Sequence, residues 1–225
     1  MHFRCFDIEG TGLPEEGPIG LVEIGACDVD VLPGGKIIVG RPEAVLCNPG
    51  MPIPPMATAV HHITDGMVEG ATGDLSFLGS ADHYVAHFAD YERHFYKEHP
   101  IICTWRVALR LWPDEPSHGL QYLRYRLDLP AHEIWSMPPH RGGPDAYVCA
   151  LLLAHIIHEG RCTVEEMVRW SSGPGLLTRV TFGKHKGSRW EELPSDYLCW
   201  IIDKSDMDHN VKANATYRLK QRGEL

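Results

Sequence analysis

Residues 6–13 read FDIEGTGL and set two carboxylates, Asp7 and Glu9, into an apolar run that otherwise has the pattern of a core strand. Side chains two apart on a strand point to one face, so the pair is crowded. Like charges held that close raise each other's cost of ionisation unless a cation lies between them. Two chemistries are open: a strand end hydrated in solvent, or a divalent-metal site. An Asp-x-Glu triplet is common by chance, so further acids and a titratable base must accompany it. HRGGPD supplies His140 and, five residues on, Asp145. Pro144 belongs to the first turn of a helix, which puts Asp145 there too. An acid in that turn is favoured by a few tenths to about 1 kcal/mol whether or not it does chemistry. His140 lies in a Pro-Pro-His-Arg-Gly-Gly-Pro loop, which suits a general base that must approach a water and then withdraw. AHFADYERHF (86–95) offers Asp90 and Glu92. On a helix these face roughly 200° apart, so at most one points into a site.

Residues 2–9, 20–31 and 36–47 read as three strands, the last two joined by the turn LPGGK, and together they form an antiparallel meander. NPGMPIPPMA (48–57) is too rich in proline for regular structure and reads as an ordered loop, after which Thr64 caps a short helix. DHYVAHF is a buried strand entering a helix at 88–98, and 101–105 is another strand, followed by a helix from VALRLW that WPDEP ends. Leucines 120, 123 and 127 mark a helix with arginines opposite, and PDAYVCALLLAHIIHEG (144–160) is a long one ending at Gly160. Strands first, then alternation of strand and helix, give an α/β layered fold with a mixed central sheet flanked by helices. Residues 1–170 form this domain, 171–177 a linker, and 178–225 a small C-terminal α+β appendage. In the appendage a strand pair brackets a Gly-Lys-His-Lys-Gly turn, and a helix starts at Pro194. Lys184, Lys186 and Arg189 could grip phosphates there while Trp190 stacks a base; a solvated basic turn has the same sequence. Tyr197 and Trp200 are assigned to the appendage's own core.

The 225 residues carry a formal charge of −9, with 44% hydrophobic and 23% charged residues, ordinary values for a globular protein. That charge excludes a protein that coats nucleic acid by bulk electrostatics. It is uneven: residues from Thr178 onward sum to +2 and leave −11 for the rest. No run reaches a membrane span and no secretory pattern opens the chain, so a cytoplasmic address is expected. Seven cysteines, odd in number and without a CxxC pair, read as reduced thiols.

FDIEGTGL, HHIT, AHFADYE, ICTWRVALRLWP and HRGGPDAY, in this order and at these separations, resemble the DEDDh branch of the DnaQ-like 3′–5′ exonucleases. TFGKHKG…LPSDYLCWI is similar to the C-terminal segment of a bacterial DNA exonuclease of that branch, so the resemblance covers nearly the whole chain. It implies a ribonuclease H-like fold and metal-dependent hydrolysis at DNA 3′ ends, single strands preferred, in repair or degradation. It implies two divalent cations, Mg²⁺ or Mn²⁺, with Asp7, Glu9 and Asp145 as ligands and His140 as general base. Gly10, Thr11 and Gly12 would admit the terminal nucleotide, beside a pocket lined by His61, Ile63 and Thr64. The second motif departs from the branch: Phe88 stands in the substrate pocket where Asn is common, and Glu92 where Asp is. Glu92 is then the fourth ligand, with Asp90 as the alternative. The Gly-Gly-Pro spacer is expected to loosen the histidine loop. Two other readings stay open, an exonuclease that trims RNA or oligoribonucleotides and a nucleic-acid-binding module that has lost catalysis. Membranes are not implied as partners, and the oligomeric state is open.

Overall fold

In β1 (His2–Gly10), Phe3 and Cys5 turn to one face and Phe6 and Ile8 to the other, and all four are buried. A strand covered on both faces is central to its sheet. β1 pairs antiparallel with β2 (Leu21–Val31), which sets Asp7 opposite Gly25 and Glu9 opposite Glu23. The far edge of β2 carries β3 (Ile37–Val39) and β4 (Glu43–Leu46), both antiparallel. On its other edge β1 runs parallel to β5 (His83–Ala86), and β5 parallel to β6 (Ile101–Cys103). This computed structural model, which describes every residue except Ser205, is thus built on a six-stranded mixed sheet in the order β3-β2-β1-β5-β6 with β4 also on β2. The ladder between β1 and β5 stops at Cys5, so Asp7 to Gly10 run on beyond it. The notch this leaves lies at the carboxyl end of parallel strands, where open α/β sheets bind ligands.

Ten α-helices surround the sheet among the described residues: α1 (Pro55–His61), α2 (Asp65–Val68), α3 (Glu92–Phe95), α4 (Thr104–Leu111), α5 (Leu120–Arg126), α6 (Glu133–Ser136), α7 (Gly142–Glu159), α8 (Val164–Ser172), α9 (Ser195–Lys204) and α10 (His209–Gln221). Helix α7 is apolar almost all round and correspondingly buried, packing Ala146, Cys149, Ala150 and Leu153 into one core with Phe3 and Cys5. It ends at Gly160, whose φ of 63° is the left-handed conformation glycine adopts without strain. The other face of the sheet is covered by Leu78, Ala89 and Tyr96. The C-terminal residues have a core of their own, with Trp190, Leu198, Ile201, Val211 and Leu219 buried together. No helix among the described residues is long and apolar enough to cross a membrane.

Several elements differ from the sequence-based expectation. The strand expected over 36–47 breaks into β3 and β4 at Gly40-Arg41-Pro42, since Pro42 has no N–H to give a ladder. The loop expected over 48–57 turns into α1 at Pro55, a residue whose fixed φ suits a first helical position. Thr64 occupies the N-cap of α2, but its side chain makes no capping hydrogen bond. The helix expected over 88–98 shrinks to α3, because Phe88 sits at φ 59° and cannot belong to a right-handed helix. The strand at 101–105 gives way to α4 at Thr104. Arg124 is buried rather than opposite the leucines, its guanidinium donating to the Ser136 carbonyl at 3.2 Å. Helix α8 runs on to Ser172, into the expected linker. The strand pair in the tail reduces to one bridge, Arg179 to Arg189, around a 3-10 turn at Gly183–His185. Trp190 is fully buried and cannot stack a base, whereas Trp200, assigned to the core, is 44% exposed.

Candidate active site

Asp7 and Glu9 continue the face of β1 on which Phe3 and Cys5 are buried under α7. What should be core there becomes a cleft because α7 starts at this point and its first residues are glycines. A Cβ on Gly25 would lie 1.7 Å from the Gly142 carbonyl carbon, and one on Gly142 would lie 2.5 Å from the Gly25 nitrogen. Backbone rests on backbone, and the first turn of α7 comes down onto the strand beside Asp7. Gly142 and Gly143 are therefore buried helical residues, not the loosening spacer expected from the sequence. Glu23, opposite Glu9 and only 2% exposed, fixes the same junction. Its Oε2 accepts from the Gly142 N–H at 2.8 Å and from Arg141 Nε at 3.0 Å, and its Oε1 from an Arg141 Nη at 2.5 Å.

This junction brings Asp145 over the strand. Oxygens of Asp7, Glu9 and Asp145 lie within 4.8 Å of one another. Glu92, at the start of α3, joins them as lining of one cavity of about 470 Å³ with Gly10, Gly12, Leu13, Met56, Val60, His61, Tyr91 and His140. Glu92 is 3% exposed and its Oε2 has no hydrogen-bond partner. None of the four acids makes an ion pair with a lysine or arginine among the described residues. Burial, then Glu9, Asp145 and Glu92, holds the Asp7 carboxyl well above its ordinary range. Glu9 is pushed up to about 8, by burial first and then by Asp145 and Glu23, against the pull of Arg141. Burial also raises Glu92 and Asp145, the latter opposed by the His140 N–H at 2.7 Å and by Gln121 Nε2 at 2.8 Å. Four carboxyls crowded and desolvated in this way suit divalent cations that prefer hard oxygen ligands, and the free Glu92 oxygen leaves a ligand position open.

His140 lies at the cleft rim, exposed, at φ 59°. A non-glycine residue in that conformation costs about 1 kcal/mol, and such strain gathers at working sites. His61 is buried, and its Nδ1 accepts from the Ile63 N–H at 3.0 Å, so the proton is carried on Nε2. Asp90, the alternative to Glu92, faces away. It takes Arg106 in a two-pronged contact at 2.8 and 2.9 Å and Arg93 at 2.7 Å. With these arginines it lines a larger cavity of about 780 Å³ that holds none of the four acids.

Not every expected pocket residue lines the cleft. Thr11 is buried and ties the loop to Gly20, its Oγ1 accepting from the Gly20 N–H at 2.9 Å. Ile63 belongs to a small core with Val22, Ile53 and Val68. Thr64 is exposed at the start of α2, and Phe88, 47% exposed, sits outside the cavity edge-on to Trp105 at 4.8 Å. Lys184 and Lys186 are exposed, while Arg189 is engaged by Asp114 at 2.5 Å. The sequence reading missed Leu13, Met56, Val60 and Tyr91 in the lining, along with Glu23, Arg141 and Gln121 behind it. Met56 and Val60, four apart, carried a helical signal that the surrounding prolines masked.

The model of the exonuclease family, RNase_T, matches residues 5–153. Exodeoxyribonuclease 10 of Escherichia coli (strain K12) is 34% identical over 215 residues, covering 90% of this chain and 91% of that protein. A solved structure of exonuclease X in complex with 5′ overhanging duplex DNA superposes with a TM-score of 0.61 at 34% identity, over 75% of this chain and 99% of the other. A full-length 3′-exonuclease at 12% identity shares the fold, with a TM-score of 0.55 over 71% of this chain and 61% of that one. With four carboxylates gathered beneath the start of α7 and relatives of this kind spanning nearly its whole length, the chain belongs to the DnaQ-like 3′–5′ exonuclease family.

Proposed function

We propose that this chain is a 3′–5′ exodeoxyribonuclease that shortens DNA from its 3′ ends, single strands preferred, in repair or degradation. Asp7, Glu9, Glu92 and Asp145 hold its two divalent cations, Mg²⁺ or Mn²⁺. The observation that carries this reading is the unbalanced cleft: four acids, two buried and two half-buried, without a lysine or arginine partner among the described residues, one of them with an unpartnered oxygen. Bound there, the cations would supply Lewis-acid stabilisation to the attacking and departing oxygens. The chain's own groups do the remainder. His140 takes the proton of the attacking water, and its backbone N–H, donated to Asp145, keeps the histidine next to the acids. Gly12 gives the terminal nucleotide a low floor. Gly10 admits the Tyr91 ring, whose hydroxyl lies 2.2 Å from where a Cβ would stand and donates to the Gly12 carbonyl at 3.1 Å. Leu13, Met56 and Val60 form an apolar wall for the terminal sugar and base. Residues 1–170 make up the exonuclease domain, 171–177 the connection and 178–225 a C-terminal module.

DNA as substrate is supported by the names of the relatives, an exodeoxyribonuclease and an exonuclease bound to duplex DNA. The test is a 5′-labelled DNA strand incubated with Mg²⁺. A ladder shrinking from the 3′ end with release of mononucleotides, abolished by chelator, is the expected result. Shortening of RNA but not DNA would move the activity to oligoribonucleotides, and binding without cleavage would leave a nucleic-acid-binding module.

A further inference from the structure

The C-terminal module carries a surface feature that the catalytic cleft does not use. On α9, Trp200 stacks on Tyr197 with ring centroids 5.5 Å apart and planes within 17°. Tyr197 is packed from the Gly183–His185 turn as well: the His185 ring lies 4.5 Å away and Lys184 Nζ sits 5.2 Å over the tyrosine ring. Trp200, the outer member, is 44% exposed. Lys184 and Lys186 are exposed, and neither pairs with a carboxylate among the described residues. An aromatic stack with exposed ammonium groups beside it, neither held by a carboxylate, matches what a single strand offers, a base with a π-face and a phosphate next to it.

The surroundings discriminate between occupants. Around Trp200 on the helix surface are Asp196, Cys199, Asp203 and Lys204, all exposed and mostly charged. This is one ring in polar company, too little apolar area for a second protein copy to bury. The two aspartates also limit attraction by charge alone, so stacking has to supply most of the affinity. The module is docked on the flank of the catalytic domain that carries Phe88. Gly175 lies against Trp105, the neighbour of Phe88; Asn210 Nδ2 donates to Asp90 Oδ2 at 3.4 Å, and Arg189 holds Asp114.

We propose that Trp200, backed by Tyr197 and flanked by Lys184 and Lys186, is a stacking platform that holds the single-stranded part of the DNA substrate outside the catalytic cleft. The proposal rests on the DNA exonuclease reading for its partner, but binding can be measured without cleavage. Full-length protein in chelator is titrated into a labelled oligothymidylate of about 30 nucleotides and followed by fluorescence anisotropy. Trp200→Ala should weaken binding about tenfold, Trp200→Phe should retain most of it, and both should keep the wild-type melting temperature because the ring is exposed. Lys184→Ala with Lys186→Ala should flatten the salt dependence by up to about 1.4 in log–log slope, for two phosphate contacts on a single strand. With Mg²⁺ restored, KM for the long strand should rise in Trp200→Ala while turnover of a trinucleotide stays unchanged. Unchanged affinity in Trp200→Ala overturns the platform, as does an equal loss on trinucleotide and long strand. Loss of a dimer in sedimentation with DNA binding intact overturns it too, and gives the ring to a second copy. If the wild type cleaves no DNA, the exonuclease reading fails, yet loss of binding in Trp200→Ala still supports the platform.

Discussion

Asp90 and Glu92 are two residues apart and belong to opposite electrostatic regimes. Asp90 is met by Arg93 and Arg106 and by an amide from Asn210, so its charge is balanced by the protein. Glu92 is more deeply buried, has carboxylates for neighbours, and keeps an oxygen without a partner. An acid with its own arginines is balanced within the fold, whereas one left unbalanced among other acids is suited to a cation from outside. The contrast separates the two groups better than their places in the motif do.

The largest effect that would sharpen the contrast is expected at Asp7. Asp7→Asn should lower kcat/KM by roughly three orders of magnitude, about 4 kcal/mol of transition-state stabilisation, with folding retained. His140→Ala should cost about 10²–10⁴-fold, as the loss of a general base does. Next comes the paired experiment. Glu92→Gln should lose at least about a hundredfold in activity and little stability. Asp90→Ala should keep most activity but lose about 1–3 kcal/mol in denaturant unfolding, because Arg106 is left buried beside a missing partner. An inactive Asp90→Ala beside a tolerated Glu92→Gln would reverse the roles of the two acids.

A smaller effect concerns pH. Glu9 titrates near 8 in the folded chain against an ordinary 4.5, and Asp7, Glu92 and Asp145 are shifted the same way. Between those values the native state holds more protons than the unfolded one, so metal-free stability falls as pH rises from about 5 to 8. Melting temperatures in chelator should decline over that window, and Mn²⁺ should remove the decline by binding the ionised native cleft. A flat profile in chelator would mean the acids are balanced within the protein after all. The smallest effect is expected at Phe88→Asn. Relief of a bulky residue at φ 59° gains about 1 kcal/mol, and the lost edge-on contact with Trp105 costs about 0.5–1.5 kcal/mol. The melting temperature should therefore move by only a few degrees.

Where chemistry follows from strand or helix period, the sequence was readable. The alternation Phe3, Cys5, Asp7, Glu9 names the face on which the acids lie, and the apolar run of α7 with its proline start and glycine end gives the helix that covers it. What depends on partners distant in sequence was not readable. The motif favours Glu92 over Asp90 by position, but the groups that occupy Asp90, Arg106 sixteen residues away and Asn210 from the far end of the chain, are not written in it. Thr11 and Ile63 lie within the right motifs, but Gly20 and a small core claim them. α10 escaped notice because Val211, Ala215 and Leu219 are its only buried apolar side chains, spaced four apart in an otherwise polar segment. The Tyr197 and Trp200 pair has helical spacing that suits a core stripe or a surface stack equally, and only the exposure of Trp200, outside a core filled by Trp190, Leu198 and Ile201, distinguishes the two.

The contact between Gly25 and Gly142 carries a genetic consequence. Every amino-acid replacement reachable from a glycine codon by one base change adds at least a Cβ, so neither position has a gentle neighbour in sequence space. Even alanine must lift the start of α7 from the strand, and with it Asp145 from Asp7 and Glu9. In a library of random single changes, these two residues without side chains should tolerate as little as the acids themselves. Survivors at either site would be revertants, or double changes that reshape the facing strand.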